Sequence, residues 1–229
     1  MTRPPLARVV AVVPVHDEEA LLPECLAAVQ IAAADAGLPV DVVVVLDDCT
    51  DGSAAVARST DVHVVEVADG AVGAARAAGV RAGLALRDDD PAAVWIACTD
   101  ADTVVPFHWL RGHRALADDG ADVVVGTVRP SPRDLTDRQL AAWRATRVPG
   151  RPNGHVHGAN LGIRADAYLR AGGFDRVLEH EDVDLVARLR ADRDVTVVAS
   201  DAVDVVTSGR FFGRTPGGYA RYLREAFPA

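Results

Sequence analysis

The sequence predicts an α/β protein in which a mostly parallel sheet is flanked by helices. The first observation is an alternation between short apolar runs, rich in valine, and longer segments with helical spacing. The second is that three of these runs lead directly into carboxylates, as expected where parallel strands present their carboxyl ends to a ligand. The runs that we assign to strands lie at residues 9–13, 40–46, 62–67, 94–98 and 122–128.

The segments between the strands support parallel β-α-β units. Residues 20–34 repeat apolar side chains at helical spacing and carry acids near the start, where the helix dipole favours them. Residues 72–86 are rich in Ala and Gly, which suits a helix packed closely on a sheet. The second half is less regular, and we assign a helix ending at residue 147, a loop at 148–157, strands at 158–164, 195–199 and 203–207, and helices at 166–171 and 181–191.

Length and composition indicate one globular domain covering residues 1–229. Apolar residues make up 49% of the chain, enough for a substantial core, but no apolar run approaches the roughly 18 to 20 residues of a membrane span. The N-terminus has no apolar segment typical of a signal peptide. The three cysteines are widely spaced and odd in number, so we expect reduced thiols and a cytoplasmic protein.

Charge narrows the range of partners. The net charge of −9 argues against nucleic acid or an anionic membrane as the main partner. All 24 basic residues are arginine, so any mechanism that requires a lysine is excluded.

The stretch at residues 94–106 is the centre of the functional prediction. A buried strand ends in Asp100 and Asp102, and Pro106 closes the extended run. An acidic pair at the carboxyl end of a strand can hold a metal-bound anionic ligand, while the alternative is a solvated turn. The pattern Asp-x-Asp is common in this chain, but only this pair follows a strand so dense in apolar residues; the others lie at 88/90, 182/184 and 192/194.

Several short motifs occur in one order along nearly the whole chain. They are Pro14-Val15-His16-Asp17-Glu18, Asp47-Asp48-Cys49-Thr50-Asp51, the spaced Gly73, Arg76 and Gly79, Asp100-Ala101-Asp102, Gly158-Ala159-Asn160-Leu161, Gly172-Gly173-Phe174-Asp175 and Glu181-Asp182. In this order the chain resembles the family 2 glycosyltransferases of the GT-A fold, which implies a mixed, mostly parallel Rossmann-like sheet. Asp17 departs from the asparagine typical of the first motif.

The resemblance implies a site for a nucleoside-diphosphate sugar, with a uridine diphosphate sugar favoured. The donor-binding residues that it implies are Pro14, Glu18, Asp47, Asp48, Arg76, Asp100 and Arg210, with Arg214 as a second clamp. It also implies Mg²⁺ or Mn²⁺ held by Asp102 and Asp100, where a cation would neutralise the departing diphosphate. His155 or His157 is a candidate third ligand.

On the acceptor side the resemblance implies that Asp182 is the general base and that Glu181, Gly158 and Asn160 bind the acceptor. Displacement through one base inverts the anomeric carbon. Residues 1–128 then form the donor half and residues 129–229 the acceptor half, and the acceptor itself is not identified. The absence of a membrane span leaves peripheral membrane contact open.

Alternatives remain open at this point. Acids at the start of a helix occur for dipole reasons alone, which covers Glu181 and Asp182. The fold could also serve a binding protein without turnover, or Asp100 could be the nucleophile of a haloacid-dehalogenase-type phosphatase, although the motif lies on the fourth strand and no lysine exists. The aromatic residues near the C-terminus could cover the site, touch a membrane or pack in a core or dimer; they are Phe211, Phe212, Tyr219 and Tyr222.

Overall fold

A computed structural model describes residues 3–177, 179–213 and 217–228. Its centre is an eight-stranded mixed sheet with the strand order β3-β2-β1-β4-β7-β6-β8-β5. The strands are β1 Arg8–Val15, β2 Val40–Asp47, β3 His63–Val67, β4 Val94–Cys98, β5 Thr103–Val104, β6 Val123–Pro130, β7 Leu161–Arg164 and β8 Val197–Thr207.

Eight α-helices in the described residues cover the sheet or its edges. They are α1 Leu22–Asp35, α2 Ser53–Arg58, α3 Val72–Ala85, α4 Trp109–Asp118, α5 Asp137–Ala145, α6 Ala165–Arg170, α7 Glu181–Ala191 and α8 Tyr219–Ala226. None of the described helices is both long and apolar enough to cross a bilayer.

The first half confirms the predicted parallel units. Strand β1 lies between β2 and β4 and is parallel to both, and all its residues are buried. Its alternate valines enter two separate cores, one beneath α1 and α4 and the other beneath α3, α6 and α7. Gly79 and Gly83 allow α3 to approach the sheet, since a Cβ at either position would collide with valines of β1 and β2.

The second half is mixed, because β7 runs antiparallel to both β4 and β6. The two strands predicted at 195–199 and 203–207 are one continuous strand, β8, which pairs with β6 through a register shift between Gly126 and Val128. The strand predicted from residue 158 begins only at Leu161, after a short 3₁₀ turn. Helices α2, α4 and α8 were not predicted.

A third, smaller core joins α5 to α8. Trp143 of α5 packs with Leu223 of α8 and with Phe227, and Gln139 donates a hydrogen bond to the Phe227 carbonyl. Phe211, Tyr219 and Tyr222 pack against this cluster. Three of the four C-terminal aromatic residues are therefore in packing roles, and Phe212 is 80% exposed.

Candidate active site

A cavity of about 930 Å³ opens at the carboxyl ends of β1, β2 and β4. This is the edge at which open α/β sheets bind ligands, and the volume is typical of a small-molecule site. Most of the predicted site residues line it, from both halves of the chain: Pro14, Glu18, Asp47, Arg76, Asp100, Asp102, Gly158, Glu181, Asp182 and Arg210. Asp48 and Asn160 do not line it, and Arg214 lies outside the described residues.

Side-chain to backbone hydrogen bonds connect the loop after β1 to the loop after β2, beside the cavity. Asp17 accepts from the backbone of Thr50 at 2.6 Å, and Glu19 accepts from the backbone of Gly52 at 2.6 Å. In return, Asp51 accepts from the backbone of Glu19 at 2.9 Å. Asp17, Glu19 and Asp51 thus hold the loops after β1 and β2 in one conformation.

Within the second motif, Asp47 and not Asp48 faces the cavity. Asp47 is 5% exposed, and its Oδ1 accepts from the backbone N–H groups of Asp69 and Gly70 just before α3. Asp48 is exposed and does not line the cavity, so the structure does not bring its side chain together with the other predicted donor-binding residues. Asp48 follows the last residue of β2 and has a left-handed backbone with φ of 52°, so it belongs to the turn and not to the strand.

Arg76 is buried between two acids and links the halves of the chain. Its guanidinium donates to Asp100, which follows β4, and to Glu181 in the first turn of α7. Although burial opposes the charge, these two carboxylates raise the pKa of Arg76 above its ordinary value. Arg76 was predicted to contact the base or the phosphates, and in this structure both of its terminal nitrogens are engaged in these ion pairs.

Asp102 lies beside a second arginine. The guanidinium of Arg210 is 2.8 Å from Asp102 and 2.6 Å from Glu18, which closes the segment after β8 over the cavity. Thr207 at the end of β8 also donates to Asp102, at 3.2 Å. Burial and the nearby Asp100 raise the pKa of Asp102 to about 6.

The carboxylate oxygens of Asp100 and Asp102 are ligands of the type that a hard divalent cation binds. Asp100 and Asp102 offer carboxylate oxygens at the cavity wall, the ligand type that Mg²⁺ and Mn²⁺ prefer, and their mutual repulsion is what a cation would relieve. Neither His155 nor His157 completes a compact set with them in the described residues. The potential ligands that do lie within 4.8 Å of one another are elsewhere, at Asp17, Cys49 and Asp51.

The carboxylate of Asp182 is held in place by backbone N–H groups at the cavity wall. Its Oδ2 accepts from the backbone N–H of Gly158 at 2.6 Å, and its Oδ1 accepts from that of Val183 at 2.8 Å. Gly158 is needed there because a Cβ at this position would collide with the guanidinium of Arg76. Asp182 is thus oriented by backbone, while each oxygen keeps a lone pair for a ligand.

Asn160 does not reach the acceptor side. It is fully buried, and its side chain accepts from Trp109 Nε1 at 2.9 Å and donates to the carbonyls of Thr127 and Val203, both at 2.8 Å. The structure therefore does not bring Asn160 together with the other predicted acceptor-binding residues, because its amide is used in joining β6, β8 and α4.

Sequence reasoning did not assign His16 to the site, and it left open whether the C-terminal tyrosines cover the cavity. His16 lies at the end of β1 with its Nδ1 against the Asp47 carbonyl, and Tyr219 and Tyr222 project from α8. His157 and Tyr219 meet edge to face, as do His155 and Tyr222. The aromatic and histidine content of both segments was visible in the sequence, but their contact across more than 60 residues was not.

A mixed α/β sheet whose strand ends bring acids from both halves to one cavity is the architecture of a GT-A glycosyltransferase. The chain belongs to glycosyl transferase family 2, whose family model matches residues 10–168. It is therefore a transferase enzyme, and the phosphatase alternative does not hold.

Similar proteins agree with this class. The chain is 32% identical over 174 residues to an undecaprenyl-phosphate 4-deoxy-4-formamido-L-arabinose transferase from Klebsiella pneumoniae subsp. pneumoniae, and 31% identical to one from Klebsiella pneumoniae strain 342. Each match covers 74% of this chain and 51% of the relative. The chain thus spans about half the length of the curated relatives it matches.

Solved structures share the fold. The mannosyltransferase PcManGT from Pyrobaculum calidifontis, in complex with GDP-Man and Mn²⁺, matches with a TM-score of 0.63 and 20% identity over 96% of this chain and 61% of that one. S. aureus TarS 1–349 matches with a TM-score of 0.62 and 14% identity, over 88% and 60% of the two chains. TarS 1–349 has also been solved in complex with UDP.

Proposed function

We propose that this enzyme transfers a sugar from a nucleoside-diphosphate sugar to an acceptor hydroxyl by a single displacement that inverts the anomeric carbon. The observation that carries the proposal is that Asp182 lines the same cavity as Asp100 and Asp102, with Arg76 joining the two sides. One bound donor could then meet a carboxylate base on one side and a charge-neutralising group on the other. Residues 1–128 would serve the donor and residues 129–229 the acceptor.

The donor side supplies hydrogen-bond acceptors and positive charge. Asp47 and Glu18 are buried carboxylates on the cavity wall, suited to accept hydrogen bonds from the hydroxyl and N–H groups of a nucleoside. Mg²⁺ or Mn²⁺ held by Asp102 and Asp100 would act as a Lewis acid on the leaving diphosphate. Arg210 brings a guanidinium to the same place, where it can pair with phosphate oxygens.

The acceptor side centres on Asp182. As the acceptor oxygen attacks the anomeric carbon, its proton passes to the Asp182 carboxylate, which the backbone N–H groups of Gly158 and Val183 hold in place. Glu181 acts through Arg76, since it is buried in that ion pair. Attack from the face opposite the diphosphate inverts the anomeric carbon.

The donor base and the acceptor each have two candidates. TarS was solved with UDP and PcManGT with GDP-Man, so our preference for a uridine nucleotide is a prediction to be tested against guanosine. The curated relatives are named for undecaprenyl phosphate, which makes a lipid phosphate a second candidate acceptor. A phosphate is largely ionised at neutral pH, so it would depend less on Asp182 as a base. A cytoplasmic location also stays a prediction.

The proposal is tested by donor binding followed by product stereochemistry. Thermal shift with UDP, GDP and ADP, each with and without Mn²⁺, should show stabilisation by one diphosphate that grows with the metal. NMR of the product formed from the matching α-linked donor should show a β-linked anomeric proton. Retention of configuration, or the absence of any nucleoside diphosphate binding, would contradict the proposal.

A further inference from the structure

We propose that one surface of the acceptor half docks the enzyme on an anionic lipid bilayer. This surface, the arginine face, is formed by α5, the loop that follows it and the C-terminal segment with α8. Its exposed members are Arg138, Arg144, Val148, Arg151, Phe212 and Arg224.

The arginine face is a local exception to the acidic charge of the chain. The whole protein carries −9, yet residues 138–165 and residues 205–224 contain no Asp or Glu. Among the ion pairs of the described residues, none involves Arg138, Arg144 or Arg151. Arg224 donates to the backbone carbonyl of Phe211 and also has no acidic partner in this part of the structure. Asp201 does reach this region, where it accepts from the backbone N–H of Gly150. The net charge alone nevertheless misleads about anionic membranes, because these arginines lack acidic side-chain partners among the described ion pairs.

Packing brings the two acid-free segments together. Trp143 of α5 lies in one small core with Leu223 and Phe227, and each of Arg144 and Arg224 directly follows a member of that core in the chain. The Gln139 side chain also donates to the Phe227 carbonyl at 3.0 Å. Arginines that are distant in sequence thus share one region of the surface.

Exposed apolar side chains favour a bilayer over a water-dissolved polyanion. Phe212 is 80% exposed and Val148 is 55% exposed. The Arg224 guanidinium lies over the Phe212 ring, 5.6 Å from its centroid. Arginine heads beside bare apolar groups suit the boundary between lipid headgroups and acyl chains, where the apolar part enters and the charge stays with phosphate. A dissolved polyanion would gain little from Phe212.

The position of the face connects it to the reaction. Tyr219 and Tyr222 lie on the face of α8 that lines the cavity, opposite to the exposed face of that helix. His157 contacts Tyr219 at the cavity wall near Asp182. Docking through this face would hold α8, one wall of the cavity, against the membrane surface. The inference that the acceptor is carried by a lipid rests on the proposed function. Docking itself can be measured without any substrate.

The test is sedimentation of the whole protein with vesicles of phosphatidylcholine, alone or with roughly one third phosphatidylglycerol. We expect binding to the anionic vesicles that weakens with added salt. The double variant Arg144→Gln/Arg151→Gln should bind about thirtyfold more weakly, because each arginine near an anionic surface strengthens binding about fivefold. Phe212→Ala should weaken binding about tenfold or more through lost apolar burial.

The matched control is Arg81→Gln/Arg193→Gln, which removes the same charge from exposed arginines outside the face. It should bind vesicles like the unmodified protein. Equal losses in both double variants, or no preference for anionic vesicles, would overturn the inference. The inference would also be overturned if the protein bound soluble polyphosphate as tightly as vesicles and Phe212→Ala had no effect on vesicle binding. Calorimetry with UDP and GDP should be unchanged in all these variants, which separates failure of docking from failure of the proposed donor chemistry.

Discussion

Arg76 of α3 and Glu181 of α7 form a buried ion pair, although 105 residues separate them in the chain. Arg76 is 3% exposed and Glu181 is 4% exposed, and the same guanidinium also holds Asp100. The pair therefore ties the strand end that carries the acidic pair to the helix that carries Asp182. Its disruption should affect stability and the alignment of the two sides together.

Arg76→Ala should leave two acids without their counter-charge in a buried site. We expect the free energy of unfolding to fall by about 3 to 5 kcal/mol, measured by urea denaturation. Arg81→Ala, on the exposed side of the same helix, should change it by about 0.5 kcal/mol or less. A small effect at Arg76 would mean that the ion pair does not hold α3 to α7.

Asp182→Asn should lower the rate of transfer by about 10²- to 10⁴-fold, because the amide cannot take the acceptor proton. Nucleotide affinity, measured by calorimetry, should stay nearly constant. Asp184→Asn is the matched control, since Asp184 is an exposed acid in the same helical turn and does not line the cavity. A large loss of nucleotide affinity would remove Asp182 from the role of base, and unchanged transfer would favour an acceptor that is already ionised.

Asp102→Ala distinguishes a metal-assisted site from one served by arginine alone. If a divalent cation is held there, binding of the nucleoside diphosphate in Mn²⁺ should weaken roughly tenfold or more while the free nucleoside is hardly affected. If Arg210 alone serves the diphosphate, removing its partner Asp102 should instead strengthen binding. Asp88→Ala, in an exposed Asp-x-Asp pair, should change neither affinity.

Asn160→Ala should destabilise the protein without changing the Michaelis constant for the acceptor. The substitution leaves the Trp109 N–H and two buried carbonyls without their partner, and we expect a loss of about 2 to 4 kcal/mol in urea denaturation. Asn153→Ala, in an exposed loop, should cost about 0.5 kcal/mol or less. A raised Michaelis constant with unchanged stability would restore Asn160 to the acceptor site.

His113 should make stability depend on pH. Burial lowers the pKa of His113 from 6.5 to about 4, so the folded protein holds it neutral while the unfolded chain takes a proton. Its contribution is complete above pH 6.5 and is lost as the pH falls towards 4, at about 1.4 kcal/mol per pH unit. His113→Gln should flatten this slope by about one proton, measured by urea denaturation across the range. A slope that stays the same in His113→Gln would contradict this assignment.

The sequence predicted the first half of the chain well because its strands are short, valine-rich and bounded by turns. Strand β4 has the predicted bounds, and the acids after β1, β2 and β4 meet at one cavity. Asp47 and Asp48 were both predicted as donor-binding residues, and the sequence did not separate them because β2 is buried on both faces, which hides the period of two. Asp47 shares a face with Val43 and Val45 beneath α3, and counting back along β2 distinguishes it from Asp48.

The second half of the chain was predicted less well because its contacts join distant segments. Asn160 was placed in a strand and assigned to the acceptor by the family resemblance, but its environment is made by Trp109 of α4 and by carbonyls of β6 and β8, which no local pattern describes. Strand β8 was divided at residues 200–202, where Ser, Asp and Ala resemble a turn, although pairing with β6 continues on both sides of the register shift. Tertiary pairing overrode the local signal there.

The ion pairs of Arg210 lower the negative charge of the cavity wall. Four carboxylates around a cavity would ordinarily repel a polyanion, but Glu18 and Asp102 already share one guanidinium, and Asp100 and Glu181 share another. The two guanidiniums offset half of the charge of these four carboxylates, and an arriving diphosphate gains an arginine by exchange of partners. Because Arg210 belongs to the segment after β8, that exchange would couple the arrival of the donor to the closure or release of the C-terminal part of the chain.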